Sequence, residues 1–192
     1  AEAFILHCIR TVRRALKGIK IEARLDSAFF SDKIVNLLRS ARVEFSISVP
    51  FERFPELKEK IEKRKRWNRV DGRWSFFQEN WSPKSWNKDF RFLFVRQRVK
   101  VQNKQPVQFE LFIPQQHGYD FKVIVTNKRV SFKKVLRFHN GRGSQENIFG
   151  ELKTQNQMDY IPVRTLLGNQ LYLCSTIMAH NLIRGLQMET RK

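Results

Sequence analysis

The chain has 192 residues, enough for one sizeable core or for one domain with a large insertion. Its 41% hydrophobic content, 17 Phe and 4 Trp exclude a disordered chain, which is poor in such side chains. Against 18 Asp and Glu stand 37 Lys and Arg, a formal net charge of +19 that repels itself unless a polyanion, nucleic acid first, is the usual partner.

The elements follow in chain order. Phe4, Ile5, Cys8, Ile9, Val12 and Leu16 recur at helical spacing over residues 3–17, and Gly18 supplies the stop. In "IKIEARLD" Ile19, Ile21, Ala23 and Leu25 alternate with polar residues, so a strand is expected with Asp26 at its carboxyl end. Sites in α/β sheets are built at that end. "SDKIVNLLRSA" predicts a helix with Ser31 or Asp32 as N-cap, and "VEFSISV" a strand closed by Pro50. Helix, strand, helix, strand implies parallel pairing with a crossover helix.

From Phe51 the pattern changes. A basic helical run, "FPELKEKIEKRKRW", leads into the aromatic segments "RWSFFQEN", "FRFLFVRQRVKV", "QFELFIP" and "DFKVIVTN", which read as antiparallel strands joined by turns. Residues 57–104 carry 15 Lys and Arg against 5 Asp and Glu, which makes this stretch, and Lys63, Arg64, Lys65 and Arg66 above all, the expected DNA-facing patch. Trp67, Trp74, Trp81 and Trp86 lie among these bases. Most are expected in the core, with one left exposed to stack on an unpaired base.

Helical pattern returns near Ser131 and ends in an apolar stripe of Leu166, Leu167, Leu171, Cys174, Met178 and Leu182. Asn169, Gln170, His180, Asn181 and Arg184 interrupt that last stretch, so no run approaches the roughly 20 apolar residues of a membrane span. Cys8 and Cys174 have no ligand-spaced neighbour and read as buried thiols of a reducing compartment. The basic residues near the N-terminus follow the apolar ones, the wrong order for a secretory signal.

One segment carries candidate chemistry. In "FHNGRGSQENIFGELK", residues 138–153, a continuous helix would set His139, Arg142, Glu146 and Lys153 within a sector of roughly 60°. Gly141 and Gly143 favour a helix that begins only near Ser144. Helix physics leaves two readings: a solvated face with an Arg142–Glu146 pair worth about 0.3 kcal/mol, or a metal-holding Glu146 flanked by phosphate-binding cations. The second requires another carboxylate, and Asp26 is the natural choice; its competing reading is a cap or turn residue.

"RLDSAFF" followed, after a β-rich stretch, by "HNGRGSQENIFGELK" resembles the catalytic half of the bacterial insertion-sequence transposases with an RNase H-like fold and an Asp-Asp-Glu site. Their signature is Tyr, two residues, Arg, three residues, Glu, six residues, Lys; here it reads His139, Arg142, Glu146, Lys153 at the same spacing, with His in place of Tyr. Asp26 matches the second catalytic Asp, and "MAHNLIRG" resembles the family's closing helix.

The resemblance implies an α/β fold, a partial RNase H-like domain with an inserted antiparallel β unit and C-terminal helices, divided as 1–50, 51–130 and 131–192. It implies that Asp26 and Glu146 are catalytic and hold Mg²⁺, in a two-metal site left incomplete because the family's first Asp lies on a strand before the opening helix. His139, Arg142 and Lys153 would contact DNA phosphates. The implied partners are DNA, as transposon ends and target, and a full-length transposase in a homodimer, in the bacterial cytoplasm beside the nucleoid and away from membranes. The alternative is a non-catalytic truncated transposase that binds DNA as a regulator or an inactive remnant. A ribonuclease H-type or RNA-binding housekeeping protein would not account for the Arg, Glu, Lys spacing.

Overall fold

The computed structural model describes residues 1–99, 118–141 and 143–190. Two compact units emerge, Ala1–His139 and Asn140–Lys192. The first is mixed α/β. Helix α1 (Glu2–Ala15) precedes strand β1 (Glu22–Leu25), helix α2 (Asp32–Ser40) and strand β2 (Glu44–Val49). Ser31 caps α2 by accepting the Ile34 N–H at 3.3 Å. Strands β1 and β2 pair in parallel, Glu22 opposite Glu44 and Leu25 opposite Ile47, as the alternation of elements predicts.

Helix α3 (Pro55–Lys63) starts with proline at its first position, where no N–H is needed. Strands β3 (Asn68–Arg69), β4 (Trp74–Trp81), β5 (Phe90–Arg98) and β6 (Tyr119–Thr126) follow, each antiparallel to its neighbour. They join the opening strands in a single sheet of order β1-β2-β6-β5-β4-β3, with β6 antiparallel to β2. The segments 1–50 and 51–130 therefore share one sheet. The strand expected from "QFELFIP" lies outside the described residues.

Alternation along the strands gives the sheet two apolar faces. On one, Phe45, Ile47, Phe77, Phe92, Phe94, Val123 and Val125 pack with Ile5 and Ile9 of α1, Ile34, Val35 and Leu38 of α2, and Leu57 and Ile61 of α3. On the other, Leu93, Val95 and Ile124 meet Phe132, Val135 and Leu136 of helix α4 (Phe132–Asn140). The cross-strand pair Phe77 and Phe94 stacks at 4.3 Å, and Phe76 stacks on Phe132 at 3.7 Å. Burial of each such side chain contributes about 1.5–3 kcal/mol. All four tryptophans are half-buried and packed on these cores, so the exposed one expected for base stacking is not found.

Where β6 ends, side chains take over from the ladder. Thr126 Oγ1 donates to the Phe45 carbonyl, and the Asn127 amide accepts from Phe45 N at 2.8 Å and donates to the Val43 carbonyl at 2.9 Å. Beside them Lys128, with its side chain only 6% exposed, reaches Glu22 and Glu44 at the start of β1 and β2. Lys128 also lies 4.3 Å from the centre of the Phe138 ring.

The second unit holds helix α5 (Gly143–Asn156) and helix α6 (Leu166–Thr190). Leu152, Thr176 and His180 are buried, and Arg184 pairs with Glu151 at 2.5 Å. The stripe of Leu166, Leu167, Leu171, Met178 and Leu182 is exposed, because the face of α6 that is buried carries Thr176 and His180 instead. Cys8 and Cys174 are exposed too, correcting the expectation of buried thiols. Helix α1 buries only Ile5 and Ile9, too narrow a stripe to cover Cys8.

Candidate active site

Asp26 leaves the carboxyl end of β1 in extended conformation and caps a short 3-10 turn, Ser27–Phe29, accepting the Ala28 N–H at 3.0 Å. On its N-terminal side it is fixed by the pairing of Leu25 with Ile47. On the other side Phe30 anchors the turn, with ring centres 5.0 Å from Trp86, 5.7 Å from Phe54 and 6.2 Å from Phe92. Trp81 extends this cluster, 5.0 Å from Phe92 and 5.9 Å from Phe54. Two inserted tryptophans thus brace the segment that carries the acid. Sequence reading missed that role, although the adjacent Phe29 and Phe30 after Asp26 signal an anchored turn.

His139 sits differently from the expectation. It is 3% exposed, with Nδ1 3.1 Å from Ser46 Oγ and Nε2 3.1 Å from Ser48 Oγ. A neutral imidazole offers one donor and one acceptor, and a hydroxyl can answer either, so both nitrogens are satisfied on β2 whichever tautomer is present. A phosphate contact there would need these bonds broken. The signal was available: Phe132, Val135, Leu136 and His139 follow one core stripe at i, i+3, i+4 and i+7.

The continuous ionic face is also interrupted. Helix α4 ends at Asn140 and α5 starts at Gly143, so His139 does not share a helix with Glu146. Arg142 lies outside the described residues. Glu146 is in the first turn of α5 and Lys153 in its last, each complementing the helix dipole, and both are exposed. Seven residues apart, they fall within about 20° of one another and about 10.5 Å apart along the axis. Glu151, which pairs with Arg184 of α6, lies about 140° around the helix from Glu146.

The expected basic patch is partly engaged within the protein. Lys63 pairs with Glu59, which lowers the Glu59 pKa and raises that of Lys63 through the hydrogen bond between them. Arg64 lies 3.8 Å from Glu79, donates to the Arg66 carbonyl and covers the Phe77 ring at 4.7 Å. Lys65 and Arg66 are exposed.

As a hard oxygen donor Asp26 suits Mg²⁺ in kind. In number the donors fall short: among the described residues no three His, Cys, Asp or Glu side chains gather to hold a metal ion. Among those same residues no helix is long and apolar enough to cross a membrane.

A parallel strand pair joined by a helix, with a carboxylate at the carboxyl end of the first strand, defines an α/β domain of the kind that places its site at that end. The family model described as transposase DDE domain group 1 matches residues 1–192. The chain belongs to that family, and its mixed sheet is consistent with an RNase H-like DDE domain. Comparison with curated proteins and with solved structures finds no match.

Proposed function

We propose that this transposase-family chain serves metal-dependent cutting and joining of DNA strands at the ends of an insertion sequence. The observation that carries the reading is Asp26, an acid held at the carboxyl end of β1 in a chain that the family matches from end to end. In this reading Asp26 and Glu146 are catalytic carboxylates acting on the same phosphodiester, with a further carboxylate completing the set. Arg142 and Lys153 neutralise phosphates beside the cut; Lys153 shares its helix face with Glu146, which supports that pairing of roles. His139 acts through position, holding the end of α4 on β2. Bound Mg²⁺ would supply polarisation of the phosphodiester and of the attacking oxygen.

DNA binding without cutting, by a regulator or an inactive remnant, is the second reading; the +19 charge supports it as well as it supports the first. One assay separates them. The protein is incubated with Mg²⁺ or Mn²⁺ and a labelled duplex carrying an element end. Metal-dependent nicking supports the first reading, and Asp26→Asn and Glu146→Gln should abolish it while sparing binding; binding without nicking supports the second. Full activity after Glu146→Gln would overturn the catalytic reading.

A further inference from the structure

We infer that a groove at the end of the sheet opposite Asp26 holds a DNA backbone, separately from the site of chemistry; this rests on the DNA-directed reading above. The groove has a volume of about 580 Å³, and its charged walls are Arg39, Arg91, Lys128 and Arg129 against the single acid Asp89. Register fixes its place. Arg91 opens β5 opposite Thr126, and Thr126 lies opposite Ser46 near the start of β2. Asp26 emerges past Leu25, which pairs with Ile47 on the way to the far end of β2.

The four cations are not equivalent. Lys128 is spoken for by Glu22 and Glu44. Arg91 is built into the wall: its guanidinium donates to the Lys128 and Val130 carbonyls at 2.7 and 2.9 Å and to Gln78 Oε1 at 2.8 and 3.1 Å. All of those acceptors are neutral, and burial pushes its pKa down. A partly desolvated cation held by neutral oxygens is stabilised by an anion brought to the groove. Arg39, 5.9 Å from the Phe90 ring centre, and Arg129 are exposed on the rim and have no carboxylate partner among the described residues.

One fixed guanidinium in the wall and two unpaired ones on the rim match a run of phosphates rather than a single small anion. The groove is open, and Asn127 and Thr126 already spend their side-chain polar atoms on the backbone of Val43 and Phe45. Its charged groups are all cations except Asp89, the groups that grip phosphates rather than read bases, so its grip is independent of sequence.

The test is a fluorescence-anisotropy titration of the chain on a labelled 30-base-pair duplex at several salt concentrations. Arg39→Ala with Arg129→Ala should weaken binding about tenfold at moderate salt and lower the slope of log K against log salt by about two, one unit per lost phosphate contact. Arg10→Ala with Arg14→Ala, an equal loss of exposed charge on α1, is the control and should change the slope less. Circular dichroism establishes that each variant is folded. An unchanged slope in the groove variant, or an equal drop in the control, would overturn the groove. Failure of the unaltered chain to bind duplex at all would instead overturn the DNA-directed reading itself.

Discussion

His139 belongs to the scaffold, with both ring nitrogens held by serine hydroxyls of β2. Replacing it with Ala leaves Ser46 and Ser48 facing a cavity with two hydroxyls unpaired, and should cost about 2–4 kcal/mol in denaturant unfolding. An unfolding midpoint like that of the unaltered chain would show that His139 is not a fastener. Glu44 makes a second residue-scale prediction. Hydrogen bonds from Lys128 and Lys20 hold its carboxyl down to about 2 from an ordinary 4.5. A depressed carboxyl contributes stability that is complete above the unfolded value and is lost as pH falls through the folded one. Glu44→Gln should therefore flatten the fall in stability between about pH 4.5 and about pH 2 without steepening it above that window; an acid limb of unchanged shape would remove Glu44 as its cause. For Lys128, burial alone would lower the pKa, but its bonds to Glu22 and Glu44 raise it, so it stays charged across this range. Asp26 was legible in the sequence because strand alternation gives position directly. The helix break at Gly141 and Gly143 was legible from the glycines, but the burial of His139 was not read, because its place on the Phe132, Val135, Leu136 stripe was weighed only against the ionic residues that follow.

At the scale of elements, the parallel pair β1 and β2 and the crossover α2 were readable from hydrophobic period and from the cap at Ser31. Which strand lies beside which was not. Nothing local in "DFKVIVTN" says that β6, rather than its predecessor in sequence, lies against β2; that pairing is decided by Phe45, Ile47, Val123 and Val125 sharing one core. The aromatic brace is likewise a tertiary fact, made of Phe30, Phe54, Trp81, Trp86 and Phe92 from five parts of the chain. Its removal should be felt at Asp26. Trp86→Ala should destabilise the first unit by about 2–4 kcal/mol and speed amide hydrogen exchange in residues 27–30 more than in β5, which keeps its neighbours on both sides. Uniform acceleration throughout the sheet would mean that Trp86 is ordinary core and not a brace for the turn.

At the scale of the whole molecule, in the DNA-directed reading proposed above, charge decides how the protein meets DNA and pairing decides which charges count. Neutralising Lys63, Arg64, Lys65 and Arg66 removes four formal cations, but two of them are engaged with Glu59 and Glu79 inside the protein. A cation already held by a carboxylate displaces few counterions from a phosphate. Removing Lys63 frees Glu59, whose repulsion weakens binding without removing a contact, while Glu79 stays paired with Lys60. The exposed pair should therefore account for this stretch's share of the salt dependence. Lys65→Ala with Arg66→Ala is expected to lower the slope of log K against log salt by nearly as much as all four substitutions together, roughly 1–2 units. Lys63→Ala with Arg64→Ala should leave the slope nearly unchanged, any loss of affinity being similar at every salt concentration. The measurement is the same titration on a duplex of arbitrary sequence. Equal slope changes from the two pairs would show that DNA breaks the Lys63–Glu59 and Arg64–Glu79 pairs on binding and recruits all four cations; no change from either would place the binding face away from this stretch.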